Sequence, residues 1–124
     1  MIIEIDYNSE VPIYDQLRKQ IVIGIASGQL KKGERLPSVR ALGEELGINL
    51  HTVRKAYNIL KDEGYLVIDR RVGAMVSDGF TIREDEKLDE DLLFLISRAK
   101  LKGLSKKDMQ DRISSLYDSL EEKI

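Results

Sequence analysis

A mostly α fold with one small β-hairpin is what the 124 residues predict, and three patterns carry that prediction. The first is a pair of short helices joined by a tight turn between Pro37 and Tyr57. The second is two β-rich runs around a basic tip, from Tyr65 to Ser77. The third is a pair of apolar stripes after Leu88, each at helical spacing. In chain order they read as a winged helix-turn-helix over residues 1–79, then a C-terminal two-helix hairpin for dimerisation over residues 80–124.

The elements follow in order. Ile3, Ile5 and Tyr7 alternate with Glu4 and Asp6, the period of a short strand. Asn8-Ser9-Glu10 is a turn, and Pro12 suits the first turn of a helix with Ser9 or Glu10 near its cap. From Ile13 to Ser27 the positions Tyr14, Leu17, Ile21 and Ile25 repeat at helical spacing, so this first helix is the buried scaffold. Gly28 ends it, and a Lys-rich loop follows in which Lys31 and Lys32 either solvate the surface or meet phosphate.

Pro37 stops what precedes it, and Ser38 is a good N-cap. Val39, Leu42 and Leu46 share one face, and Gly47 stands where a helix end wants a left-handed residue. Asn49 caps the next helix, whose inner face is Val53, Ala56, Tyr57 and Leu60. Its other side carries His51, Thr52, Arg54, Lys55 and Asn58. One helix braces while the next offers its first turns to a DNA major groove, although two such helices also occur in ordinary bundles. Past Gly64, Tyr65–Asp69 and Ala74–Ser77 flank Arg70-Arg71-Val72-Gly73. A hairpin directly after a recognition helix is a wing, and arginines at its tip can enter a minor groove or grip phosphate. Phe80 and Ile82 close the domain, and 83–87 is a charged connection.

These residues also carry a family resemblance. Gly28 to Arg40, Leu46-Gly47-Ile48-Asn49, Thr52 to Tyr57 and Leu60 to Leu66 form an ordered match over roughly Ile5 to Val76. The segment resembles the DNA-binding domain of the GntR family of bacterial transcription regulators. That resemblance implies a DNA-contacting arginine at Arg40. At Asn49-Leu50 the sequence departs from the commoner Ser-Arg, so Leu50 offers a thymine methyl contact in place of a guanine contact. At the wing Arg71 stands where a first glycine is usual, while Gly73 keeps the second. The short C-terminal part, with the Asn49 cap, resembles the YtrA-type subfamily. That likeness implies homodimeric repressors, often of transport operons, with two C-terminal helices as the dimer interface.

The candidate DNA-binding residues are Arg35, Ser38, Arg40, Asn49, Leu50, His51, Thr52, Arg54, Lys55, Tyr57, Arg70, Arg71 and Gly73. A guanidinium fork at Arg40 or Arg54 matches guanine O6/N7 or phosphate; otherwise Arg40 pairs with Glu44 and Arg54 with Asn58 or a nearby acid. His51 reads a base edge or is simply solvated, and Tyr57 lends its hydroxyl to phosphate or is half core. The candidate dimerisation residues are Leu88, Leu92, Leu95 and Ile96, then Met109, Ile113, Leu116 and Leu120. Gly103 separates the two stripes, and Ser105 with Asp108 resembles a capping box. Each fully buried Leu or Ile contributes about 1.5–3 kcal/mol, so stripes this apolar need covering. The candidate covers are a second subunit, the chain's own domain, or a small-molecule effector of unknown identity.

The totals exclude several classes. There is no cysteine and one histidine, which removes disulfides and thiolate metal sites. No catalytic constellation, P-loop or EF-hand spacing occurs, so no enzyme activity, cofactor or metal is expected. The acidic start is no signal peptide and no stretch is long enough to span a bilayer, so a cytoplasmic protein off the membrane is expected. The net charge is -2, with 11 Lys and Arg against 10 Asp and Glu over residues 1–77, and 9 against 12 beyond. Local potential rather than net charge steers a duplex. The expected function is a homodimeric repressor reading an inverted repeat in double-stranded DNA. The alternative is a winged-helix protein-interaction module whose basic residues solvate its surface.

Overall fold

The computed structural model describes residues 2–71, 73–80 and 87–121. Helix α1 spans Ile13–Ala26, α2 Val39–Leu46 and α3 Leu50–Asp62. Strands β1 (Leu66–Asp69) and β2 (Gly73–Val76) follow, then α4 (Leu88–Leu101) and α5 (Lys106–Glu121). The chain divides into two compact units, one through residue 80 and one beyond it.

The first unit closes around the inner faces of its three helices. Leu17 and Ile21 of α1, Leu42 of α2, and Val53, Ala56, Tyr57 and Leu60 of α3 share one core with Leu66, Ala74 and Val76 of the hairpin. The hairpin is antiparallel, pairing Leu66 with Val76 and Asp69 with Gly73. Buried and half-buried positions alternate along β2, as a strand's period requires, whereas in β1 Leu66 is buried and Val67 and Ile68 are both exposed. The segment expected as a Lys-rich loop pairs with β2: Leu36 N donates to Ala74 O and Val76 N to Glu34 O, each at 2.9 Å. Both backbone edges of β2 are thus occupied, which ties the wing to the chain entering α2. Phe80 packs on Tyr65 with centroids 5.7 Å apart, while Ile82 and residues 83–86 lie outside the described residues.

Two expectations are corrected. Residues 3–7 form no strand. Two glutamines of α1 take the place of a partner strand: Glu4 N donates to Gln20 Oε1 and Asp6 N to Gln16 Oε1, both at 2.9 Å. The same amides donate back to the Glu4 and Asp6 carbonyls. A side-chain amide both donates and accepts, so it satisfies an extended backbone without a ladder. Pro12 sits one position earlier than expected, at the N-cap of α1.

In the second unit α4 and α5 lie where the stripes place them. Gly103, at φ 93°, ends α4 in the left-handed region, and Leu104 N returns to Ala99 O at 3.0 Å. The capping box forms: Ser105 Oγ accepts from Asp108 N at 3.1 Å, and Asp108 accepts from Ser105 N at 2.9 Å. Those bonds hold the Asp108 carboxyl below its ordinary pKa. From this tight vertex the helices diverge instead of packing along one another. Neither contains a buried residue.

Candidate nucleic-acid interface

The α2–α3 turn is built by local chemistry. Ser38 Oγ accepts from Ala41 N at 3.0 Å, and Asn49 Oδ1 accepts from His51 N at 2.8 Å. Gly47 adopts φ 68°. Gly43 is buried, and a Cβ there would come within 3.2 Å of the Ile48 carbonyl oxygen. Ile48 N also donates to Gly43 O at 3.0 Å, so helix and turn touch through backbone. The angle between α2 and α3 therefore depends on a residue without a side chain.

On α3 the structure separates the candidates. His51 and Arg54 are exposed and adjacent, with Arg54 Nη1 3.4 Å from His51 Nδ1. Leu50 and Thr52 are half-buried at the same end. Lys55 is directed elsewhere: its Nζ lies 4.0 Å from the centroid of Tyr14, over a ring of α1. Tyr57 is a correction. It is buried, and its hydroxyl donates to Pro37 O at 2.8 Å. Burial, with Glu45 nearby, pushes its pKa well up. Tyr57 braces the entry to α2 and leaves the exposed surface.

Arg35, Arg40, Arg70 and Arg71 are exposed. Arg35 bridges Met75 of β2 through its backbone, which brings the approach to α2 beside the wing. Past the Asp69–Gly73 pair, Asp69 Oδ1 accepts from Arg71 N at 2.7 Å and lies 3.9 Å from Arg71 Nε. Gly73, at φ 87°, opens β2 in a conformation a side chain would strain.

The charge distribution resolves the weak net charge. The acids of the scaffold neutralise the scaffold: Arg18 Nη2 meets Asp15 at 2.8 Å and Arg18 Nη1 meets Glu63 at 3.3 Å, while Lys19 meets Asp15 at 3.1 Å. The Arg18 hydrogen bond holds the Asp15 carboxyl below its usual range, and Asp15 in turn raises Arg18. Among the described residues Arg35, Arg40, Arg54 and Arg70 form no ion pair, and Arg40 does not bridge to Glu44. Arg71 has only its long contact to Asp69, whereas Arg18 and Lys19 of α1 are neutralised.

Sequence reasoning missed Gln16, Gln20, Tyr7 and Gly43. Tyr7 donates its hydroxyl to Leu46 O at 2.8 Å, tying the N-terminal segment to the end of α2. The spacing of Gln16 and Gln20, four apart, is the one signal that could have flagged a shared face.

Known proteins resemble this arrangement. The model of the gntR family of bacterial regulatory proteins matches residues 13–76. The transcriptional repressor YtrA of Bacillus subtilis is 40% identical over 76 residues, 61% of this chain and 58% of that protein. The chain thus spans less than two thirds of the first curated relatives it matches. The solved structure of YtrA from Sulfolobus acidocaldarius, a GntR-family transcription factor, is 40% identical. It covers 82% of this chain and 99% of its own, with a TM-score of 0.68. The DNA-binding domain of AraR, solved in complex with operator ORE1, is 25% identical at a TM-score of 0.53, covering 62% of this chain and 94% of its own. A family match over half of the chain, on the very turn and wing whose geometry is given above, makes this chain a member of the gntR family of bacterial regulatory proteins.

Proposed function

We propose that the chain is a sequence-specific regulator that binds double-stranded DNA as a homodimer and represses transcription from an inverted repeat. The observation that carries this reading is the allocation of charge: among the described residues Arg35, Arg40, Arg54 and Arg70 form no ion pair and Arg71 has only a 3.9 Å contact to Asp69, while Arg18 and Lys19 of the scaffold are neutralised. Unpaired guanidinium groups are what phosphate and guanine edges require. Operator-bound AraR supports the same reading from outside the chain.

In this reading Arg40 and Arg54 are the principal contacts, to phosphate or guanine. The exposed first turn of α3, with Asn49, Leu50, His51 and Thr52, meets base edges. Ser38 and Arg35 flank α2, and Arg70 and Arg71 bring the wing to phosphate or a minor groove. Lys55 contributes long-range potential from its seat over Tyr14. A protein this weakly charged binds non-specific duplex poorly and loses affinity in salt with a modest slope.

The dimer rests on the second unit. Leu88, Leu92, Leu95, Ile96, Ile113 and Leu116 are exposed, and Met109 and Leu120 are half-buried. Two-fold pairing would bury both stripes and set two recognition helices on one face of DNA. The vertex also holds a cleft of about 420 Å³, lined by Ile96, Leu104, Met109 and Ile113 with Lys100 and Lys106 at its rim. An effector would sit there; a rise in Tm on titrating candidate metabolites would reveal it, and no rise from any of them would remove the idea.

Selection from a random duplex pool tests the main reading. An enriched inverted repeat is expected, its half-site spacing set by the dimer. Wild-type affinity in both Arg40→Ala and Arg54→Ala would instead favour a winged helix that binds protein.

A further inference from the structure

Arg54 forms no ion pair among the described residues, and its guanidinium meets an imidazole instead. Arg54 Nη1 lies 3.4 Å from Nδ1 of His51, one turn earlier on α3. A guanidinium has N–H donors and no acceptor, so the contact is a hydrogen bond only if Nδ1 accepts. That condition fixes the imidazole in its neutral form with the proton on Nε2. His51 is itself anchored: its backbone N–H donates to Asn49 Oδ1 at 2.8 Å, the N-cap bond of α3. Cap, imidazole and guanidinium form a short chain along the exposed first turns of the helix.

An unrestrained arginine on a helix surface samples many rotamers, and ordering it on binding costs entropy. A hydrogen bond to a side chain one turn away removes part of that freedom before DNA arrives. The bond uses one Nη1–H, and the remaining N–H groups still offer a fork to guanine O6 and N7.

We infer that His51 is the positioning residue of Arg54 and reads bases together with it. Nδ1 holds the guanidinium, while Nε2–H, on the other side of the ring, presents a second donor to the major groove. The inference rests on the DNA reading above and adds how the recognition helix selects its bases. Two donors side by side require acceptors on neighbouring base pairs: guanine O6 or N7 under Arg54, and a purine N7, guanine O6 or thymine O4 under His51. A cytosine amino group at either place sets donor against donor and is rejected.

The protein has one histidine, so its imidazole nitrogens are observed without overlap by NMR on the isotope-labelled full chain. At neutral pH the proton is expected on Nε2, with Nδ1 bare. Arg54→Ala is expected to return a fraction of that proton to Nδ1. An imidazole whose tautomer is the same with and without Arg54, or one that carries its proton on Nδ1, would overturn the inference.

Base preference is then measured against every single base-pair substitution of the site selected from the random pool. Arg54→Ala marks the pair that Arg54 reads. His51→Ala, an exposed substitution expected to leave Tm unchanged, should relax the preference at that pair about tenfold, and at a neighbouring pair of its own as well. His51→Asn keeps an acceptor where Nδ1 stood and lacks the outer donor, so it should restore the first preference and not the second. His51→Gln, with its amide farther out, should do the reverse. Full discrimination at the Arg54 pair in His51→Ala would overturn the positioning role and leave Arg54 a reader by itself. Wild-type protein with no preferred sequence removes the DNA reading, and this inference with it.

Discussion

Helix α3 and helix α4 are both amphipathic, and they meet opposite fates. Val53, Ala56, Tyr57 and Leu60 of α3 are sealed against α1, α2 and the wing, none more than 2% exposed. In α4 the comparable stripe of Leu88, Leu92, Leu95 and Ile96 keeps 37% to 49% of its surface in solvent. The difference lies in the neighbours: the first unit has three helices and a hairpin to close a core, and the second has two helices that diverge. A stripe becomes a core where the chain folds back over it, and stays open where it does not. Charge follows the same division. The first unit neutralises Arg18 and leaves Arg35, Arg40, Arg54 and Arg70 without an ion pair among the described residues, while α4 of the second carries acids in its first turn and bases in its last.

The sharpest test of this contrast compares one truncation in each unit. Leu60→Ala should destabilise the first unit by about 2–5 kcal/mol, whatever the protein concentration. Leu92→Ala should leave that melting transition in place and act through subunit affinity, so its effect grows on dilution. Equal, concentration-independent losses would mean the stripe of α4 is core after all. Next in size is the free arginine set. Arg54→Ala should cost about 1–3 kcal/mol in operator affinity with Tm unchanged, read by titration on the selected site. Arg18→Ala should do the reverse, lowering Tm and sparing affinity.

Tyr57→Phe separates brace from contact. Losing the Pro37 hydrogen bond should lower stability by about 0.5–1.5 kcal/mol and leave saturating DNA affinity as it was. A fall in affinity at constant Tm would return Tyr57 to the DNA surface. The smallest effect is at Asp15. Its carboxyl is held below its ordinary range, so it stabilises the fold above about pH 4 and loses that contribution as pH falls through the depressed value. Asp15→Asn should therefore lower neutral-pH stability by roughly 0.2–1 kcal/mol, a gap that closes in acid; denaturant midpoints across pH would show it.

What the sequence determined by itself is what short-range chemistry decides. Ser38, Gly47, Asn49, Gly103 and the Ser105–Asp108 box mark helix ends because each satisfies backbone groups within a few residues. Apolar spacing located every helix, and the basic tip located the wing, for the same local reason. The tertiary structure decided the rest. Residues 3–7 have a strand's alternation but no neighbouring strand, so Gln16 and Gln20 hold them instead. Tyr57 and Lys55 share a helix with Arg54, yet Tyr57 bonds to Pro37 and Lys55 lies over Tyr14, apart from the pair that His51 and Arg54 form. Gly43 matters only because the Ile48 carbonyl comes so near. Each of these outcomes depends on a partner that only the folded chain brings into reach, and periodicity along one helix carries no information about which partner arrives.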